Sequence, residues 1–227
     1  MMSPEQLTGK TDDHLTAVII GQKAFWVHPQ VSQDLLALKQ AADLAGFNLN
    51  IASGFRSFTR QQSIWDRKMK GEMAILDDDG HPLDISPYSE KEKILAILRW
   101  SALPGASRHH WGTDFDIFDR KALPEGTSLQ LEPWEYLQAH QAPFYAWLKT
   151  HIAEFGFFFP YQENGGGVAF EPWHISHKHT AEQCLTALTR ETLQTELDKE
   201  SMEGKQTVLQ NLEMIYNHYI INIAKVK

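Results

Sequence analysis

Apolar and polar positions change period several times along the chain, and each change marks an element. Leu15–Ile20 and Ala24–Val27 are short apolar runs flanking Gly21-Gln22-Lys23, the pattern of a hairpin. From Gln33 to Phe47, Leu35, Leu36, Leu38, Ala41, Ala42 and Ala45 recur near helical spacing, with Ser32 before them and Gly46 at the end. Asn48–Ala52 alternates as a strand and runs into Ser53-Gly54-Phe55-Arg56. A second helix is predicted over Thr59–Lys70, between Ser57 and Gly71. A third covers Ser89–Trp100, with Ile94, Leu95, Ile97 and Leu98 toward the core and Pro104-Gly105 after it. Between them, Asp77–Pro82 lacks the acidic spacing and terminal Glu of a calcium loop and reads as a solvated turn.

Alternation returns from Thr113 to Asp119, broadly a strand with one break. A loop with Pro124, Gly126 and Pro133 follows, then a helix over Ala142–Phe155 that stops at Gly156. Phe157-Phe158-Phe159 reads as a buried strand, because no basic residues interleave it as they would a base-stacking platform. Val168–Phe170 and Trp173–Ser176 supply the last strand material. Helical pattern then takes over at Ala181–Glu200 and, after Gly204, Lys205–Ile223.

Composition narrows the classes. A 42% hydrophobic fraction and seven Trp suffice for one sizeable core. The net charge of -8, without a basic stripe, argues against a nucleic-acid binder, although a local Arg can still hold an anionic small substrate. The single Cys184 excludes an internal disulfide and fits a reducing compartment. No cationic segment followed by an apolar core opens the sequence, and no apolar run reaches membrane-spanning length. The expectation is a cytoplasmic protein without a membrane span.

Candidate chemistry concentrates in Ser107–Asp119, where two imidazoles sit beside three carboxylates. On a strand, Asp114 and Asp116 share one face and Phe115 takes the other. A hairpin-like entry through Gly112 brings His109 or His110 over that face, and a divalent metal satisfies such a set. A further ligand is offered by Glu171-Pro172-Trp173-His174. His109, Asp116 and His174 would give a three-ligand zinc with a position open to water, and Glu171 would take a proton from that water. Asp114 competes with Asp116 for the metal. A non-haem iron site also uses two His and a carboxylate, but its usual first His stands two residues before the acid, whereas His109 and Asp116 are seven apart.

Three ordered blocks then carry a resemblance: Ser53-Gly54-Phe55-Arg56-Ser57 with Gln61 and Gln62, Ser107-x-His109-x-x-Gly112-x-x-x-Asp116, and Glu171-Pro172-Trp173-His174. Together they resemble the signature of the zinc D-alanyl-D-alanine carboxypeptidase family, which includes vancomycin-resistance carboxypeptidases and dipeptidases and the L,D-carboxypeptidases of peptidoglycan turnover. One position departs: the residue two before the Asp ligand, usually small, is Asp114. The resemblance implies an α+β fold, with a small, mainly antiparallel sheet carrying one zinc per chain and helices flanking it. It selects His109, Asp116 and His174 as ligands, Glu171 as base, and Arg56 for the oxyanion or a substrate carboxylate. Ser107 and Gln61 become substrate-binding candidates, and His110 an orienting neighbour of the ligands. His177 and His179 are read as a solvated edge, and Trp65, Trp111 and Trp173 as core or pocket wall. Because the resemblance stops near residue 180, the single domain over 1–227 divides into a catalytic core, 1–180, and a C-terminal helical extension, 181–227. The implied substrate is a peptidoglycan-derived peptide ending in a D-residue. With a cytoplasmic location, L,D-cleavage of recycled tetrapeptides is preferred to D,D-cleavage of pentapeptides. A non-catalytic zinc-containing binding module is the alternative from another class.

Overall fold

In the computed structural model, which describes residues 2–163 and 165–224, the chain is α+β with two antiparallel sheets. A short helix α1 (Pro4–Leu7) precedes the hairpin of β1 (Thr16–Ile20) and β2 (Lys23–Val27). Helix α2 (Ser32–Leu44) leads to β3 (Leu49–Ser53), and Ser57 then caps α3 (Phe58–Met69) by accepting from Arg60 N–H. Helix α4 (Glu90–Leu98) begins with a reciprocal Ser89/Glu92 capping box. Strand β4 (Asp114–Asp119) is followed by α5 (Pro133–Leu137), α6 (Ala142–His151), β5 (Phe157–Phe158) and β6 (His174–His177). The remainder is helical: α7 (Lys178–Ala187), α8 (Arg190–Asp198), α9 (Lys205–Gln210), α10 (Leu212–Ile215) and a π-helical turn, Tyr216–Ile220.

The site rests on the four-stranded sheet, ordered β3-β4-β6-β5. Strand β4 is central and wholly buried, and its Phe115 and Ile117 join Val27, Leu35, Leu49 and Phe157 in one apolar cluster. With those residues committed to the core, period-two geometry leaves Asp114 and Asp116 on the opposite face. A register shift between Ile51 and Ser53 lets β3 pair with β4 at Ile117 and then at Asp116.

Several elements differ from the sequence expectation. Ala181–Glu200 is two helices, because Leu188 leaves helical geometry at ψ 74 and Thr189 caps a new start by accepting from Thr192 N–H. Lys205–Ile223 is also broken, at Asn211 and again at the π turn. Val168–Phe170 is irregular rather than strand; Ala169 N–H donates to Arg99 O at 2.8 Å. Helix α5 arises where loop was read and α1 where no element was assigned, each with Pro in its first turn. The C-terminal segment packs onto the rest of the chain: Leu193, Val208, Leu212 and Ile215 share a buried cluster with Phe58, Trp65 and Trp111. Residues 225–227 of the predicted extension lie outside the described residues. No helix among the described residues is long and apolar enough to cross a membrane.

Candidate metal centre and active site

Arg108–Trp111 forms one tight 3-10 turn instead of the expected hairpin entry, and Gly112 at φ +68 redirects the chain into β4. A Cβ at Gly112 would meet the backbone nitrogen of His28 at 2.9 Å, so glycine is required by both conformation and space. The turn brings His109 Nδ1 to 3.0 Å from Gly54 O. A carbonyl only accepts, so Nδ1 carries the proton and Nε2 presents its lone pair, 3.4 Å from Asp116 Oδ2. Burial, with the Arg56 and His174 charges, holds the His109 imidazole neutral, well below its usual range.

Asp116 and His174 are direct cross-strand partners on β4 and β6, which is why two residues far apart in sequence meet. His174 Nδ1 lies 3.5 Å from Asp116 Oδ1 and 3.0 Å from Glu171 Oε2. Its other nitrogen, Nε2, bonds Asp114 Oδ1 at 3.0 Å. Burial disfavours the imidazolium, but the Asp114 and Glu171 hydrogen bonds outweigh it and raise His174 to about 10.

Asp114 is therefore on the far side of the His174 ring from Asp116. It also accepts from Arg108 Nε at 2.8 Å and from Thr113 Oγ1 at 2.5 Å. Arg108 continues to Ser176 Oγ at 2.5 Å. Burial alone would raise Asp114, but the Arg108 guanidinium and His174 hold it well below the carboxylate range. Of the two carboxylates left open by the sequence, Asp116 is the one that converges with both imidazoles: His109, Asp116 and His174 offer ligand atoms all within 4.8 Å of one another. Asp116 Oδ1 is buried without a hydrogen-bond partner. Burial, opposed by His174 and reinforced by the Glu171 charge, pushes Asp116 up to about 6. An orphaned buried carboxylate oxygen beside two imidazoles is a donor set that a divalent cation satisfies, and this composition fits zinc.

The cluster opens into a cavity of about 350 Å³ whose wall includes Arg56, Ser107, Tyr161 and Glu171. Arg56 Nη1 donates to Gln61 Oε1 and Nη2 to Ser53 Oγ, both at 2.9 Å. Gln61 in turn donates to Ala102 O at 2.7 Å and is fully buried. It thus stands behind Arg56 as its support, whereas the sequence reading set it against substrate. His110 braces the same loop rather than a metal ligand. Gly105 N–H donates to its Nε2 at 3.1 Å, so Nδ1 carries the proton and donates to Arg56 O at 2.6 Å. Burial keeps this imidazole neutral, down to about 4. His179 is exposed, as the reading of a solvated edge requires, but His177 is buried, caps α7 through Thr180 N–H and bonds Asp34 Oδ2 at 3.0 Å. Sequence reasoning missed Tyr161, whose ring meets His174 edge-on at 5.1 Å, and Arg108, the counter-charge of Asp114. Tyr161 sits in no motif. Arg108 lies inside one, but its burial against Asp114 comes from packing and not from the motif.

The profile of the VanY D-alanyl-D-alanine carboxypeptidase family matches residues 24–180, more than half of the chain. The chain belongs to this family. An uncharacterised protein of Haemophilus influenzae is 45% identical over 103 residues, covering 45% of this chain and 70% of its own. Among solved structures, the vancomycin-resistance D,D-pentapeptidase VanY in complex with Zn(II) is similar with a TM-score of 0.50 and 24% identity, over 74% of this chain and 82% of that one. The LD-carboxypeptidase LdcB is similar with a TM-score of 0.52 and 22% identity, over 83% and 79%. At that identity the two neighbours establish the fold. The VanY-family match stops at residue 180, whereas the cavity wall extends to Tyr219 and Ile220.

Proposed function

We propose that this protein is a zinc carboxypeptidase that releases a C-terminal D-amino acid from peptidoglycan-derived peptides, with one zinc per chain held by His109, Asp116 and His174. The observation that carries this reading is the convergence of those three ligands with Glu171 and Arg56 on one cavity. Bound there, zinc supplies a water acidified toward ~7 and a Lewis acid for the scissile carbonyl.

The chain's own residues supply the rest. Glu171 borders the cavity and touches His174, so its carboxylate takes the proton of the attacking water and passes it to the leaving amine. Arg56, held by Gln61 and Ser53 at its guanidinium and by His110 at its backbone, donates to the carbonyl oxygen as charge develops there. Ser107, on the same wall, would meet the terminal carboxylate of the substrate. Asp114 holds His174 in the tautomer and orientation that leave Nδ1 for the metal.

Of the two cuts open to the family, L,D-cleavage of a tetrapeptide is preferred here to D,D-cleavage of a pentapeptide. Purified zinc-loaded protein incubated with matched tetrapeptide and pentapeptide muropeptides, followed by mass spectrometry, tests both levels of the reading. Loss of one D-Ala from the tetrapeptide is expected. Loss from the pentapeptide alone would establish D,D specificity, and no release from either would leave a zinc-binding module.

A further inference from the structure

Lys68 is a cation the mechanism does not use. It lies on α3, is 6% exposed, and lines the same cavity as the metal cluster. Its ammonium donates to Ser101 Oγ at 2.8 Å. No carboxylate pairs with it among the described residues, and burial, with no opposing charge, lowers its pKa. Withdrawing an ammonium from water without a counter-charge is costly, and a methionine would fill the same space without that cost. An unpaired buried cation on a cavity wall is therefore matched to an anion that arrives from outside.

The position of Lys68 indicates which anion. It stands seven residues after Gln61, two turns along the same face of α3 and ~10 Å along its axis. Ser101, its partner, adjoins Ala102, whose carbonyl holds Gln61. Arg56, with Gln61 behind it, marks the reacting end, and Lys68, two turns on from Gln61, lines the same cavity together with Leu98, Leu103 and Ala106. The terminal carboxylate of a carboxypeptidase substrate is one residue from the scissile carbonyl and stays near the metal. A long side chain on the residue before that bond reaches further.

We propose that Lys68 and Ser101 form a second anion subsite, which takes a carboxylate at the end of the side chain of the residue preceding the scissile bond. The protein then selects peptides whose penultimate residue is a diamino dicarboxylic acid over those in which it is lysine. This rests on the carboxypeptidase reading and deepens it. It also favours the L,D cut, in which the diamino acid directly precedes the broken bond.

The test uses zinc-loaded wild type and Lys68→Met with two tetrapeptides that differ only in the third residue, the diamino dicarboxylic acid or lysine. D-Ala release is followed for kcat and KM separately. Wild type is expected to prefer the acidic peptide at least tenfold in kcat/KM, and the ratio should collapse toward one in Lys68→Met, chiefly through KM. A merely structural lysine would lower both peptides alike, and that result, or the absence of a preference in wild type, overturns the subsite. Release from neither peptide by wild type overturns the carboxypeptidase reading itself, and the subsite with it. Should Lys68→Met fail to fold, Lys68→Gln keeps a donor for Ser101 without the charge and carries the same comparison.

Discussion

Asp114 and His174 are joined across neighbouring strands by a 3.0 Å hydrogen bond between Oδ1 and Nε2. The bond turns the opposite nitrogen of the ring toward Asp116. A residue that looked like a spare ligand is thereby the brace of a real candidate, and Arg108 pays its desolvation.

The first prediction concerns this division. His109→Ala, Asp116→Ala and His174→Ala should each lose zinc, whereas Asp114→Asn should retain it with affinity reduced ~10–100-fold, the usual effect of removing a partner of a metal-bound His. Competition with a chromogenic chelator measures both. Zinc retained by Asp116→Ala and lost by Asp114→Asn would exchange the two roles.

Glu171 separates chemistry from binding. Glu171→Gln keeps shape and a contact to His174 but cannot accept the proton, so kcat should fall at least ~100-fold while zinc content stays at wild-type level. Near-normal turnover would remove Glu171 from the mechanism.

Much of this was legible in one dimension. The alternation through Thr113–Asp119 placed Asp116 and Asp114 on the face away from Phe115, because side-chain period in a strand is a local property. Which carboxylate meets the imidazoles was not local. It depends on the Asp116–His174 register and on Arg108 capturing Asp114, both products of packing. The role of Gln61 escaped for the same reason: its motif position is readable, but its engagement of Arg56 and Ala102 is a three-dimensional fact. The breaks at Leu188 and Asn211 were hidden by unbroken helical composition, with no Pro or Gly to mark them. Lys68 falls inside the predicted Thr59–Lys70 helix with no motif to mark it, and only burial distinguishes it.

Arg56 is predicted to act through geometry as well as charge. Its guanidinium reaches Gln61 and Ser53 through separate nitrogens, which an ammonium cannot reproduce. Arg56→Lys should therefore reduce kcat/KM by ~100-fold or more, the scale for loss of an oxyanion donor, with zinc content unchanged. A wild-type rate for Arg56→Ala would make it an ordinary wall residue.

The Asp116 carboxyl, raised from 3.8 to about 6, predicts a pH dependence for the zinc-free protein. A raised acid favours the protonated native state, so stability from this group is greatest below 3.8 and declines as pH rises to about 6. At about 1.4 kcal/mol per unit, the decline is roughly 3 kcal/mol. Asp116→Asn should match wild type at pH ~4 and exceed it at pH ~7 when both are denatured in chelator. Equal wild-type and variant stability at both pH values would show that the carboxylate is not strained. Zinc requires the ionised form, so wild-type affinity should climb over the same interval.

The final prediction concerns the C-terminal segment, which the sequence set apart as an extension. Val208, Leu212, Ile215 and Ile220 are buried in the cluster that holds Trp65 and Trp111, and Trp65 Nε1 donates to Glu203 O at 3.0 Å. Trp111 ends the turn that carries His109, so this cluster anchors that turn. Truncating Ile215 to Ala alone should cost about 2–5 kcal/mol, against a total stability of about 5–15 kcal/mol for a typical domain. Removing residues 181–227 deletes all four side chains, and the remaining chain should fail to fold rather than persist as an independent catalytic core. Circular dichroism and zinc content of the truncated protein check this. A folded, zinc-binding fragment would restore the division at residue 180, whereas collapse of both signals would make the segment an integral part of the catalytic domain.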